Sequence, residues 1–295
     1  MLHFTQLGKK STNPEHYDPS LLFAIPRSEN REKYNLIEGE LPFIGVDVWN
    51  SYEVSFLTTN GLPVNRMMKL IYSADSEFII ESKSLKLYLN SFNMEKMGDS
   101  VGQAELEVLN RITNDLSTTL KTKVQAVFFT ANSKEQHPFA ELANSDLIEQ
   151  IHPDNLKNIV FEHYNERPEL LNGTKTVNIQ SYGFHTDVLR SNCRVTNQAD
   201  WGDLFVNIET IYEIDLASVL KYLVSFRREN HFHEEVAEMI YKRLWDRFHP
   251  SKLMVAAMYT RRGGIDINPI RASHTALIDP AFTAVDARLA KNYRQ

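Results

Sequence analysis

The sequence predicts an α+β protein whose antiparallel sheets are covered on one face by helices, and three observations predict it. Val46, Val48, Asn50, Tyr52, Val54 and Phe56 follow one another at period two, and an Asn60-Gly61 pair separates them from a second apolar stretch. Apolar residues then recur at spacings of three, four and seven. The same order of elements returns in the second half of the chain.

The first run reads as a strand, because side chains alternate between faces every two residues. Asn60-Gly61 accepts the positive φ of a hairpin turn, so 67–72 is the returning strand. Leu85, Tyr88, Leu89 and Phe92 form one helical stripe, and Leu109, Ile112, Leu116 and Leu120 a second. Another strand is expected over 124–129. The polar stretch 131–172 has mixed charge and no strong period, which places the connection between two domains there. In the second half, strands are expected over 174–186 and 204–208. Helices follow, carrying Leu216, Val219, Leu220 and Leu223, then Val236, Ile240 and Leu244, and a final strand runs over about 253–260. Tyr88-Leu89-Asn90-Ser91-Phe92 echoes Tyr222-Leu223-Val224-Ser225-Phe226 at the same point of each succession, so an internal duplication is expected.

A chain of 295 residues with 42% hydrophobic residues has room for about two domains and a sizeable core. Its 32 Lys and Arg against 38 Asp and Glu give a net charge of -6, which argues against a main task of holding a polyphosphate backbone. An anionic partner must then be met by a local basic site. No apolar run reaches a membrane span, and the opening residues lack the apolar core of a signal peptide, so a cytoplasmic protein is expected. The single cysteine excludes an intrachain disulfide and any zinc site needing two thiolates.

Four stretches could carry chemistry. In Glu81-Ser82-Lys83-Ser84-Leu85-Lys86, at a strand end and helix start, Ser82 or Ser84 can cap the helix. The free N–H groups with Lys83 and Lys86 would favour an anion; the plainer alternative is a capped surface helix with solvated lysines. In Ser191-Asn192-Cys193-Arg194 the thiol is a good nucleophile, Arg194 would raise its thiolate fraction, and Asp200, seven residues on, could transfer a proton. A lone cysteine can equally be a small buried hydrophobe. His231-Phe232-His233-Glu234-Glu235 opens the last helix; an imidazole and a carboxylate could hold the edge of a guanine-like or pterin-like ring. The same residues could instead complement the helix dipole or ligate a metal. Tyr259-Thr260-Arg261-Arg262-Gly263-Gly264 sets two guanidinium groups before two glycines, suited to phosphate or merely to a solvated turn. No glycine pattern of a Rossmann or P-loop site occurs.

Together these stretches resemble the NADPH-dependent 7-cyano-7-deazaguanine reductases, the QueF nitrile reductases of the queuosine pathway. Glu81-Ser82-Lys83-Ser84-Leu85-Lys86-Leu87-Tyr88 is similar to the family's E-[SL]-K-[SA]-hydrophobic-K-[LY]-[FYW] pattern. It is joined by Cys193 with Asp200 seven residues later, Phe232-His233-Glu234, and Tyr259 to Gly264. The pattern in the first half and the cysteine in the second resemble the long, two-module branch. The likeness runs from Pro26-Arg27-Ser28 to Asn268-Pro269, with no diagnostic residues between about 131 and 172.

The resemblance implies two tandem tunnelling-fold modules, 1–150 with the Glu81 to Lys86 pattern and 151–295 with the cysteine, assembled as a homodimer. It implies reduction of the nitrile of 7-cyano-7-deazaguanine to a primary amine with two NADPH, through a thioimide on Cys193, with Asp200 transferring the proton. By the same resemblance Ile80, Glu81, Ser82, His233 and Glu234 anchor the substrate, and Ser82, Lys83, Arg262 and Gly263 contact NADPH. No metal, membrane or direct nucleic-acid contact is implied. Rivals are a metal-dependent tunnelling-fold enzyme acting on a pterin or purine with His231 and His233 as ligands, a thiol hydrolase, and a purine-binding module without turnover.

Overall fold

The computed structural model describes residues 14–133, 136–137, 145–148, 159–290 and 295. The expected hairpin is β2 (Ile44–Leu57) and β3 (Pro63–Ser73), preceded by the short β1 (Ala24–Pro26) and α1 (Ser28–Arg31). β4 (Phe78–Ile80) pairs with β1 and leads into α2 (Ser82–Asn90) and α3 (Val101–Leu120), after which β5 (Val124–Phe129) returns beside β3. Ser100 caps α3 by accepting from the N–H of Gln103, and Lys121 ends it in the left-handed region at φ 53°. Ala104, Val108, Ile112, Leu116 and Leu120 form its buried stripe. Leu109, expected in that stripe, is only half-buried, because the true seam runs at strict four-residue intervals through Val108.

After β6 (Asp146–Leu147), the second half comprises β7 (Gly173–Thr186), β8 (Arg190–Cys193), β9 (Ala199–Ile214), α4 (Leu216–Val224), β10 (Asn230–His231), α5 (His233–Phe248), β11 (Lys252–Tyr259), β12 (Ile265–Ala272) and α6 (Pro280–Thr283). The 150/151 border and part of the expected connection fall outside the described residues. No helix among the described residues is long and apolar enough to cross a membrane.

Two expectations need correcting. The chain does not end on β11: β12 follows it and pairs with β2 from Ile265↔Ser51 to Ala272↔Ile44, fusing the strands of both halves into one sheet. Pro269 hides this strand from a sequence reading, since a residue without an N–H is disfavoured inside a sheet. Its effect is visible: β11 pairs with β12 only from Met254↔Ala272 to Ala256↔Ile270, stopping one residue short of the proline. Beyond that point no ladder joins β11 to β12, and Ile265 and Ile267 of β12 line a cavity together with Trp49 of β2.

The sheet is also not covered on one face alone. The four longer helices pack on one side in two apolar clusters, α2 and α3 over β2, β3 and β5, and α4 and α5 over β7, β9 and β11. On the other face Val48, Ile71, Phe205, Met254 and Met258 meet the C-terminal segment through Ile278, Phe282 and Leu289. Buried Lys69 ties that segment down, donating to the carbonyls of Ala281, Ala284 and Ala287 at 2.8, 2.8 and 2.6 Å.

The two echoed segments make the same local contacts. Tyr88 and Phe92 meet edge to face at 5.4 Å, as do Tyr222 and Phe226 at 5.4 Å. Ser91 and Ser225 each donate 2.6 Å bonds to the carbonyl three residues back.

Candidate active site

A cavity of about 240 Å³ opens where the two halves meet. Its walls are the start of α2 (Ser82, Lys83, Lys86), the β8–β9 hairpin (Cys193, Gln198, Asp200), the approach to α5 (His231 to Glu234) and the turn at Arg262 and Gly263. Trp49, Ile80, Ile265 and Ile267 form an apolar floor.

The hairpin explains the seven-residue spacing. β8 and β9 pair from Arg190↔Trp201 to Asn192↔Ala199, and Asn197, at φ 56°, turns the chain between them. Cys193 and Asp200 therefore come from adjacent strands of one hairpin, 5% and 3% exposed, and both line the cavity. β10 lies parallel to β8 with His231 opposite Cys193, so the His231-Phe232-His233 run is delivered beside the thiol.

Arg194 does not serve the thiol, contrary to expectation: its guanidinium pairs with Glu235 at 2.6 Å and Glu29 at 3.4 Å. Arg262 takes that place, hydrogen-bonded to Asp200, to Gln198 at 2.7 Å and to Thr196 at 3.5 Å. Its charge is stabilised against burial by Asp200 and by the neighbouring Cys193. His233 Nε2 lies 3.5 Å from Asp200, and its ring stacks on Tyr259 with centroids 3.8 Å apart. Burial opposes ionisation of Asp200, but His233 and Arg262 outweigh it and hold the carboxyl below the ordinary carboxylate range.

Glu234, 2% exposed, behaves in the opposite way: burial and the charge of Asp47 push it up to about 8, and among the described residues its Oε1 has no hydrogen-bond partner. Behind it sits a set of buried charges that the sequence reading missed. Asp47 pairs with Arg27 and Arg271, and Glu238, one turn along α5 from Glu234, takes Arg31 at 2.7 Å and Arg271 at 2.8 Å. Although burial opposes it, Arg271 and Arg31 bring Glu238 down to about 2. Alternating Asp47 with apolar neighbours in β2 was the available signal, but its partners are Arg27, just before α1, and Arg271 of β12, which no local pattern connects.

Glu81 is a correction. Neither Ser82 nor Ser84 caps α2. The Glu81 carboxylate does so, accepting from Lys83 N at 2.9 Å and Ser84 N at 2.8 Å, fully buried and off the cavity wall. Two of the helix-end N–H groups expected to favour an anion are thus already taken. The cavity's cationic rim is made by side chains instead: Lys83, Lys86 and Arg262. Lys86 donates to Gly263 O at 2.8 Å, across a tight turn in which Gly263 and Gly264 have φ 57° and 80°. Such angles suit a two-residue hairpin of glycines. Ile80, Ser82, Lys83, Cys193, Asp200, His233, Glu234, Arg262 and Gly263 all line the one cavity.

His231 and His233 do not share a focus. His231 lies between Glu229 and Glu235 at 3.4 and 3.5 Å; burial lowers its basicity, yet both carboxylates prevail and raise it. Among the described residues no three His, Cys, Asp or Glu side chains form a group that could hold a metal ion.

A thiol, an acid and a cationic rim meet in one cavity, and comparison with known proteins identifies the class as reductases. Residues 13–128 match the family described as nitrile reductase, 7-cyano-7-deazaguanine-reductase N-term, and 199–277 match the QueF-like protein family. Curated relatives called NADPH-dependent 7-cyano-7-deazaguanine reductase align over nearly the whole chain. Those of Polaromonas sp. and Acidovorax ebreus are 38% identical over 274 and 276 residues, and that of Delftia acidovorans 36% over 276. Each alignment covers 92% of this chain and 93% of the relative. The chain belongs to the NADPH-dependent 7-cyano-7-deazaguanine reductase family.

Proposed function

We propose that this chain reduces the nitrile of 7-cyano-7-deazaguanine to 7-aminomethyl-7-deazaguanine at the expense of two NADPH, through a thioimide on Cys193. The observation that carries the reading is the meeting of Cys193, Asp200 and Glu234 on one cavity. Sγ adds to the nitrile carbon, and the thiol proton passes through the Asp200 carboxylate to the nitrile nitrogen, giving R–C(=NH)–S. Asp200 suits this relay because His233 and Arg262 keep it ionised until it takes that proton. NADPH, when bound, supplies hydride to that carbon and, after thiolate departs, to the resulting imine. The balance is one nitrile, two NADPH and three protons giving one alkylammonium and two NADP⁺.

Ile80, Ser82, His233 and Glu234 hold the heterocycle, with Glu81 acting through the helix start that it caps. Glu234, whose burial favours the neutral acid, ionises on accepting ring N–H donors. Ser82, Lys83, Arg262 and Gly263 suit the cofactor: the rim is cationic, and a glycine with φ 57° leaves backbone open to it. Burial of the thiol keeps the hydrolysable imine from bulk water.

The two halves are read as tandem tunnelling-fold modules, 1–150 and 151–295, of a cytoplasmic homodimer that acts on a free base and not on nucleic acid. The repeated strand and helix order supports the modules. The test is to mix the protein with 7-cyano-7-deazaguanine and NADPH and follow reduced-cofactor absorbance. Two equivalents oxidised per nitrile are expected; release of ammonia without NADPH oxidation would sink the reading.

A further inference from the structure

We infer that Trp49 determines specificity in this cavity: its indole N–H donates to the ring carbonyl of the bound heterocycle, beside the edge that Glu234 accepts. The inference deepens the function proposed above and rests on it.

Trp49 sits in the middle of β2, opposite Leu70 of β3 and Ile267 of β12, on the face that lines the cavity. It is 1% exposed, yet among the described residues its Nε1 has no hydrogen-bond partner. Buried indole N–H groups ordinarily find an acceptor, and an unmatched one calls for a reason. Its strand neighbours on either side are apolar, leaving the cavity as the side from which an acceptor can come. Glu234 Oε1, also unmatched, lines the same cavity.

Trp49 thus gives the cavity a group that can only donate, and Glu234 gives it a carboxylate. A guanine-like ring has the complementary edge, two N–H donors next to a carbonyl oxygen. The carboxylate takes the donors, and the carbonyl is left for Trp49. Because an indole cannot accept, a ring with an amino group in place of that carbonyl sets donor against donor in a dry site, an arrangement strongly disfavoured. If Trp49 were only an apolar wall, phenylalanine would serve as well.

Binding is measured by calorimetry in a Cys193→Ala background, which prevents the covalent adduct. Trp49→Phe should weaken 7-cyano-7-deazaguanine by about ten- to a hundredfold and narrow the preference over the analogue bearing an amino group in place of the carbonyl. Trp49→His, which keeps an N–H donor, should recover part of the loss. In the otherwise native protein, ¹⁵N spectra resolve three indole N–H signals, one for each Trp. Trp201→Phe and Trp245→Phe assign the third without disturbing the site. That signal should shift downfield with the carbonyl ligand and not with an analogue lacking the oxygen, a readout that survives even if Trp49 variants fail to fold. Equal affinity in Trp49→Phe, or an unmoved signal on saturation, overturns the role of Trp49 alone. No binding to the parent protein overturns the proposed function, and this inference with it.

Discussion

The starts of α2 and α4 are built alike and used differently. Glu81 N donates to Phe23 O at 2.9 Å, and Asp215 N to Asn172 O at 3.1 Å. Each acid then caps its own helix, and the serine three residues on, Ser84 or Ser218, donates back to the acid's carbonyl at 2.7 or 2.6 Å. After the cap the copies diverge. The first continues Ser82-Lys83-Ser84-Leu85-Lys86 and opens on the cavity; the second continues Leu216-Ala217-Ser218-Val219-Leu220, with Val219 and Leu220 in the core. The second helices reverse the roles: α5 brings His233 and Glu234 to the cavity, whereas α3 begins with Val101 and Gly102 away from it. Two helix starts of one design can divide their chemistry in this way, because capping occupies one acidic side chain and backbone N–H groups and leaves the following side chains free to differ.

If the division holds, losses from the second half should be chemical. Cys193→Ala is expected to abolish turnover and the mass increase of a covalent substrate adduct; a surviving adduct would move the nucleophile elsewhere. Asp200→Asn should still bind the heterocycle but slow adduct formation by about 10²–10⁴-fold, read by rapid-quench mass spectrometry. An unchanged rate would remove Asp200 from the relay.

Glu234 gives the next largest effect. Burial and Asp47 push it up to about 8, above the value of an unfolded chain. Between those values the folded protein holds the extra proton, so this group's contribution to stability falls as pH rises through that window. Glu234→Gln should therefore raise the thermal midpoint at pH 8 by about a few degrees, while weakening the heterocycle by about tenfold or more. In the unmodified protein, ligand uptake near neutrality should release a proton, seen as calorimetric heats that differ between buffers. Equal heats would mean that Glu234 does not ionise on binding.

The smallest effects sharpen the comparison most. Asp215→Ala and Glu81→Ala should each lower stability by about 1 kcal/mol, measured by urea unfolding. Only Glu81→Ala should also raise the KM, because only its helix carries cavity residues. A KM equally indifferent to both changes would erase the functional difference between the copies.

The sequence by itself determined the local elements and the chemistry they bear. Period two gave β2, four-residue spacing gave α3, and Asn60-Gly61 the turn between β2 and β3. The thiol, acid and cation-rich stretches were legible because residue type and short spacing are local information. What depends on partners far along the chain was not. Pro269 disguised β12, whose register with β2 fuses the halves. In one dimension Arg194 is the cation beside Cys193 and Arg262 is remote; in the fold Glu235 claims the first, and the β11–β12 turn delivers the second. Sequence offered Ser82 or Ser84 as the cap of α2, and only the fold shows that the Glu81 carboxylate takes Lys83 N and Ser84 N instead. Only the tertiary structure decided which buried polar atoms were consumed internally and which, like Glu234 Oε1 and Trp49 Nε1, found no partner among the described residues, on side chains that line a cavity. Satisfaction of a buried donor or acceptor depends on atoms brought together by folding, and those atoms are seldom neighbours in sequence.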